Sequence, residues 1–155
     1  MCKKCWIVVS LLLLLIAGAG YQFMIAGDNA SSPDGRIAIP LSPAEKDLVL
    51  TEMRSFLNAL QQISSGISEA DFKLISEQAR LLGSAAQQGV PISLMGKLPL
   101  PFKKLGFDTH QKFDLLAMDA EQLQDKEHTL KQMSTLMSNC VSCHAAYKIE
   151  TIVTK

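Results

Sequence analysis

Cys140-Val141-Ser142-Cys143-His144 reads C-x-x-C-H. Two thiols at this spacing, followed at once by an imidazole, suit covalent attachment of a c-type haem. The thiols add across the two vinyl groups, and the imidazole ligates the iron. On a helix each residue turns by about 100°, so with Cys140 at zero, Cys143 falls near about −60° and His144 near about +40°. All three then leave one arc, as a flat macrocycle requires. With four Cys and three His in 155 residues, random sequence gives about 0.002 such pentapeptides.

Three other chemistries use paired cysteines. Structural zinc needs four N or S ligands, generally from two such pairs. The second pair here, Cys2 and Cys5, lies before a hydrophobic leader that should leave it across a membrane. His110 and His128 lack ligand spacing and read as surface residues. A thioredoxin-type pair belongs at a helix N-terminus beside a βαβ pattern, which is not evident here. A plain disulfide leaves His144 without a role.

The elements that must position the motif come next. Residues 1–27 form a signal peptide or membrane anchor: Lys3 and Lys4 precede an uncharged, mostly apolar run from Trp6 to Gly27. That run is long enough to span a bilayer. It also holds Ala17-Gly18-Ala19, an A-x-A cleavage pattern. Continued hydrophobicity through Tyr21, Phe23, Met24 and Ile25 argues for an anchor, Gly18 and Gly20 for cleavage. Either way the lysines stay inside and the remainder is exported. Removing Lys3 and Lys4 from the 15 basic residues leaves 13 against 15 acidic ones, a net charge of −2. The broad basic footprint of nucleic-acid binding is missing.

Residues 28–41, with Asn29, Ser31, Ser32, Pro33, Asp34 and Gly35, read as a flexible tether. Residues 42–155 read as helices throughout. Ser42-Pro43-Ala44-Glu45 is a capping box with proline at the first helical position. Val49, Met53, Phe56, Leu60, Ile63 and Ile67 continue it as one stripe, widened by Leu50 and Leu57 and ending near Ser65-Gly66. Ser68 opens a second helix whose buried face is Phe72, Ile75, Ala79, Leu82 and Ala86, closed by Gly89. Residues 90–107 carry three prolines and two glycines and read as a long connection. Asp108 with Gln111 opens a third helix, with Phe113, Leu116, Ala117 and Ala120 inside, fading near Leu123. Asp125 caps a fourth, in which Leu130, Met133, Met137, Cys140, His144 and Tyr147 recur at helical spacing. The expected class is all-α, an antiparallel four-helix bundle that can enclose a cofactor between facing helices.

A four-helix chain with C-x-x-C-H in its last helix resembles the class II c-type cytochromes, cytochrome c′ and its low-spin relatives. The resemblance spans about residues 43 to 150, and its sharp part is Cys140 to Lys148. It implies thioether bonds at Cys140 and Cys143, His144 as proximal ligand, and Lys148 beside the imidazole or a haem propionate. The family's sixth coordination position faces the first helix. Met53, the only methionine there, is the candidate sulfur ligand. Leu50, one turn earlier, is the competing residue over an open iron; Met95 and Met118 are weaker sulfur candidates, and Met133 and Met137 suit pocket walls.

Two functions follow from the resemblance. With methionine ligation, one covalent haem c makes a monohaem carrier of single electrons in the periplasm. Its partners are redox proteins of the periplasm or inner membrane, with a homodimer of the kind many relatives form. With an open iron, the chain binds small gases such as NO or CO. Lys97, Lys103, Lys104 and Lys112 on a loop near the haem edge would steer an acidic partner. No paired acid–base set or second cofactor motif points to an enzyme.

Overall fold

A computed structural model describes residues 3–152. It is mostly helical, with helices α1 (Lys3–Tyr21), α2 (Pro43–Glu69), α3 (Phe72–Arg80), α4 (Ile92–Lys97), α5 (Leu100–Leu123) and α6 (Lys126–Ala146). A π-helical turn, Gln22–Ala26, continues α1, and a 3-10 turn, Ser84–Gly89, precedes α4. Strands β1 (Ala30–Ser31), β2 (Ile37–Leu41) and β3 (Tyr147–Thr151) form one small sheet in that order. Strand β2 is antiparallel to β1 and parallel to β3. Cys2 lies outside the described residues, and Cys5 is exposed on α1.

The sheet corrects the all-α expectation, and β2 takes up residues 37–41, the end of the expected tether. Ala38, Ile39 and Leu41 are buried. Two adjacent buried residues break the period of two that marks a half-buried strand. The parallel partner of β2 lies at the other end of the chain, so no local pattern announces that pair.

Helices α2, α3, α5 and α6 share the main core. Phe56, Ile63, Ile75, Phe113, Leu116 and Leu136 fill it. Phe56 stacks on Phe113 with ring centroids 5.5 Å apart. A second core joins β2 to α2 and α4 through Ile39, Leu41, Val49, Leu94, Leu98 and Tyr147.

Helix boundaries differ from expectation for identifiable reasons. Helix α2 runs past Gly66 to Glu69 and stops at Ala70, whose φ of 58° is left-handed. Asp71, not Ser68, caps α3 by accepting from the Leu74 N–H at 2.9 Å. Helix α3 ends at Arg80, well before Gly89. Helix α5 begins at Leu100, because Pro99 and Pro101 sit at the cap and first turn, where no N–H is needed. Leu57, at 71% exposed, does not widen the α2 stripe. Along α6 and into β3 the inward stripe is Thr129, Met133, Leu136, Cys140, Cys143 and Tyr147: Met133, Cys140 and Tyr147 are as expected, and the other three fall one position earlier. Leu130 and Met137 are exposed instead.

The Ser42–Glu45 capping box forms as expected, and Lys97 donates to the same carboxylate at 2.8 Å. That ammonium, then the Ser42 backbone N–H, holds the Glu45 pKa down from 4.5 to about 2. A lowered acid pKa stabilises the fold above its ordinary value and ceases to do so as pH falls through the folded one. Glu45→Gln should therefore cost about 1 kcal/mol at neutral pH. The gap to wild type should close between pH 4.5 and about 2, as read by thermal melts. A gap constant across that window would refute the linkage.

Candidate functional site

Helix α6 carries the motif to its own end, Ala146. Cys140 and Cys143 are half-buried free thiols, and His144, one residue on, is exposed at the rim. Cys140 packs on the main core and Cys143 on the second core. The helix end is held in place from two sides. Arg36 donates to the His144 carbonyl at 3.3 Å, and the Tyr147 N–H caps the Cys143 carbonyl before the chain enters β3.

All three motif side chains line one cavity of about 440 Å³. Its walls are mostly apolar: Val49, Met53 and Phe56 of α2 face it, with Met95 of α4 and Phe102 of α5. Phe102 meets Tyr147 edge-on, centroids 5.3 Å apart.

Burial, and then the neighbouring Cys140, pushes the Cys143 thiol up to about 11. Burial also pushes Cys140 up. Redox-active pairs need the opposite, a depressed pKa at a helix N-terminus. These thiols lie in the last turns of a helix, where the macrodipole disfavours a thiolate. Among the described residues, no three His, Cys, Asp or Glu side chains gather into a metal-ion set. Haem asks less of the chain: two thioethers and one or two axial donors. An apolar cavity of this size, with two neutral thiols and an imidazole on one wall, fits that demand.

The distal candidates divide cleanly. Met53 is half-buried, packs against both cores and lines the cavity. Met95 lines it as well. Leu50 points away, 36% exposed and outside the lining, because the inward residue of that turn is Val49. Met118 and Met137 are each 43% exposed, and Met133 packs into the main core; none of the three lines the cavity.

Lys148 is not one helical turn beyond His144. The helix has ended, residue 148 belongs to β3, and its ammonium pairs with Glu150 at 2.6 Å. The lysine run is not a loop patch either. Lys97 is bound to Glu45, Lys103 is buried, and Lys112 pairs with Asp108 and with Asn139.

His110 corrects the surface expectation: it is only 3% exposed and lines the cavity. Its Nδ1 lies 2.7 Å from the Leu82 carbonyl and its Nε2 3.3 Å from Glu52 Oε1. Burial works against its charged form, but Glu52 and the Leu82 carbonyl outweigh that and leave its pKa raised. The signal was present in the sequence. The spacing of Phe113, Ala117 and Ala120, extended back by one turn, reaches position 110. His128 is half-buried against Asp119 at 2.8 Å, away from the cavity.

No protein-family model matches the chain, and no curated protein or solved structure matches it.

Proposed function

We propose that this protein is a monohaem c-type cytochrome that carries single electrons on the outer side of the cytoplasmic membrane. In this reading α2, α3, α5 and α6 form an antiparallel four-helix bundle around one haem c. The observation that carries it is the meeting of both motif thiols and the adjacent imidazole on one apolar cavity, with a methionine on the facing helix. Cys140 and Cys143 would hold the haem, with His144 and Met53 as the donors to its iron. When bound, the haem supplies a one-electron couple, whose potential methionine ligation raises.

The chain's own residues do the rest. Val49, Phe56 and Phe102 give the cavity apolar walls, and the stack of Phe56 on Phe113 fixes α2 against α5. The Glu52–His110 pair is one of the polar contacts in a wall that is mostly apolar. Lys148 is left out of the site, since its charge is taken by Glu150. Partners are redox proteins of the periplasm or inner membrane.

A gas-binding function is the second reading. With Leu50 turned outward, it would rest on Val49 and Phe56 as the apolar lid. One optical experiment separates the two. The full chain, matured in a host that attaches haem c, should stain for haem on a denaturing gel. Its ferric form should be low-spin, with the long-wavelength sulfur-to-iron band. High-spin ferric haem whose ferrous form takes up CO readily would move the function to gas binding. A colourless product with both thiols open to alkylation would end both readings.

A further inference from the structure

The apolar helix α1 does not simply lead into the domain; its outer end packs on α4 and α5, two helices that help to line the cavity. Four contacts make the joint. The Phe23 ring lies over Gly96 of α4 so closely that a Cβ there would sit 2.6 Å from it. Lys103 of α5, only 8% exposed, donates through Nζ to the Phe23 carbonyl at 2.8 Å and more weakly to that of Met24 at 3.4 Å. Gly27 turns the chain at a φ of 62°, pressed against the backbone of Leu98 and Pro99. The Asp28 N–H then donates to the Lys97 carbonyl at 2.6 Å.

The helix itself has the dimensions of a bilayer span. Lys4 to Ala26 is 23 residues, with none of its most apolar window buried in the protein. At 1.5 Å per residue that is about 35 Å, against about 30 Å of hydrocarbon. Trp6 and Tyr21, each 59% exposed, stand toward its two ends, where amphipathic rings favour the interfaces. The stretch beyond the Ala17-Gly18-Ala19 pattern is apolar and uncovered too: Tyr21, Met24 and Ile25 are 59%, 60% and 45% exposed. Cleavage there would leave that turn in water, whereas lipid shelters it.

We propose that α1 is kept on the mature protein as a phospholipid-spanning anchor rigidly joined to the domain, which holds the cavity against the outer membrane surface. Lys103 is the link, since it both lines the cavity and grips the carbonyls at the end of the span. Electron exchange, on the function proposed above, then takes place with a membrane-resident partner. The joint itself does not depend on haem.

The test uses the full chain in phosphatidylethanolamine–phosphatidylglycerol vesicles. Nitroxides are carried on azide-bearing residues at positions 14 and 123, so that no cysteine is involved. Leu14 is 69% and Leu123 55% exposed, and neither lines the cavity. A single narrow distance distribution is expected, broadening severalfold in Gly96→Leu, which expels the Phe23 ring. If Gly96→Leu fails to fold, Lys103→Met removes the carbonyl grip while keeping the side-chain stem, and should broaden the distribution likewise. Intact mass from expressing cells should show residues 20–27 still preceded by the span, in an alkali-resistant membrane fraction. A broad distribution in the wild-type chain, unchanged widths in the variants, or a soluble chain beginning after Ala19 would each overturn the proposal.

Discussion

Replacing Cys140 and Cys143 together with serine should leave the purified chain colourless and without haem stain on a denaturing gel. The change is small in volume and lies on the cavity wall, so helix α6 itself has no reason to unwind. What disappears is the attachment chemistry. The stability of the product should fall as well. A group held in this cavity of about 440 Å³ adds to the stability of the folded chain, because it binds the native state and not the unfolded one. The serine variant should melt more than about 10 °C below the holoprotein. A coloured, haem-staining serine variant would refute attachment at these two positions. Equal melting temperatures would refute the structural role of the occupant.

Met53→Ala should convert the ferric protein from low-spin to high-spin and remove the sulfur-to-iron band. Met53 is half-buried between two cores, so the change should also cost about 2 kcal/mol, the low end for a buried methionine. Stability alone does not identify a ligand, but the band does. Met95, on another wall of the same cavity, is the control. Met95→Ala should keep the band and the spin state. If the two variants exchange behaviours, Met95 is the sulfur donor and α4 carries the distal side. If both keep the band, neither methionine ligates the iron.

The part of the site that could be read in advance is the part whose chemistry is local. Cys140, Cys143 and His144 are adjacent in the chain and lie on one helix, so spacing alone places them together. The cap at Ser42–Glu45 and the inward face of Phe113, Leu116, Ala117 and Ala120 are legible for the same reason. What escaped depends on partners far along the chain. Strand β2 is paired along its whole length only by β3, at the far end of the chain. Lys103 reads as a surface charge until the Phe23 carbonyl accepts from it. His110 reads as exposed because imidazole is polar, yet Glu52 and the Leu82 carbonyl satisfy it indoors. The α6 stripe departs from expectation at three positions, two of them because Leu130 and Met137 are apolar but face outward, while Thr129 is buried with its hydroxyl on the Asp125 carbonyl.

The pairing of Ile37 with Tyr147 spans 147 − 37 = 110 residues of sequence. Contacts that distant form slowly, since the loop they close must be ordered first. A chain crossing a membrane from its N-terminus presents β2 long before β3 emerges. The last knot in the assembly thus lies three residues beyond His144, and until it is tied, the segment bearing the two thiols stays open to whatever modifies it. On the function proposed above, order of synthesis and order of closure together would give haem attachment its window of time.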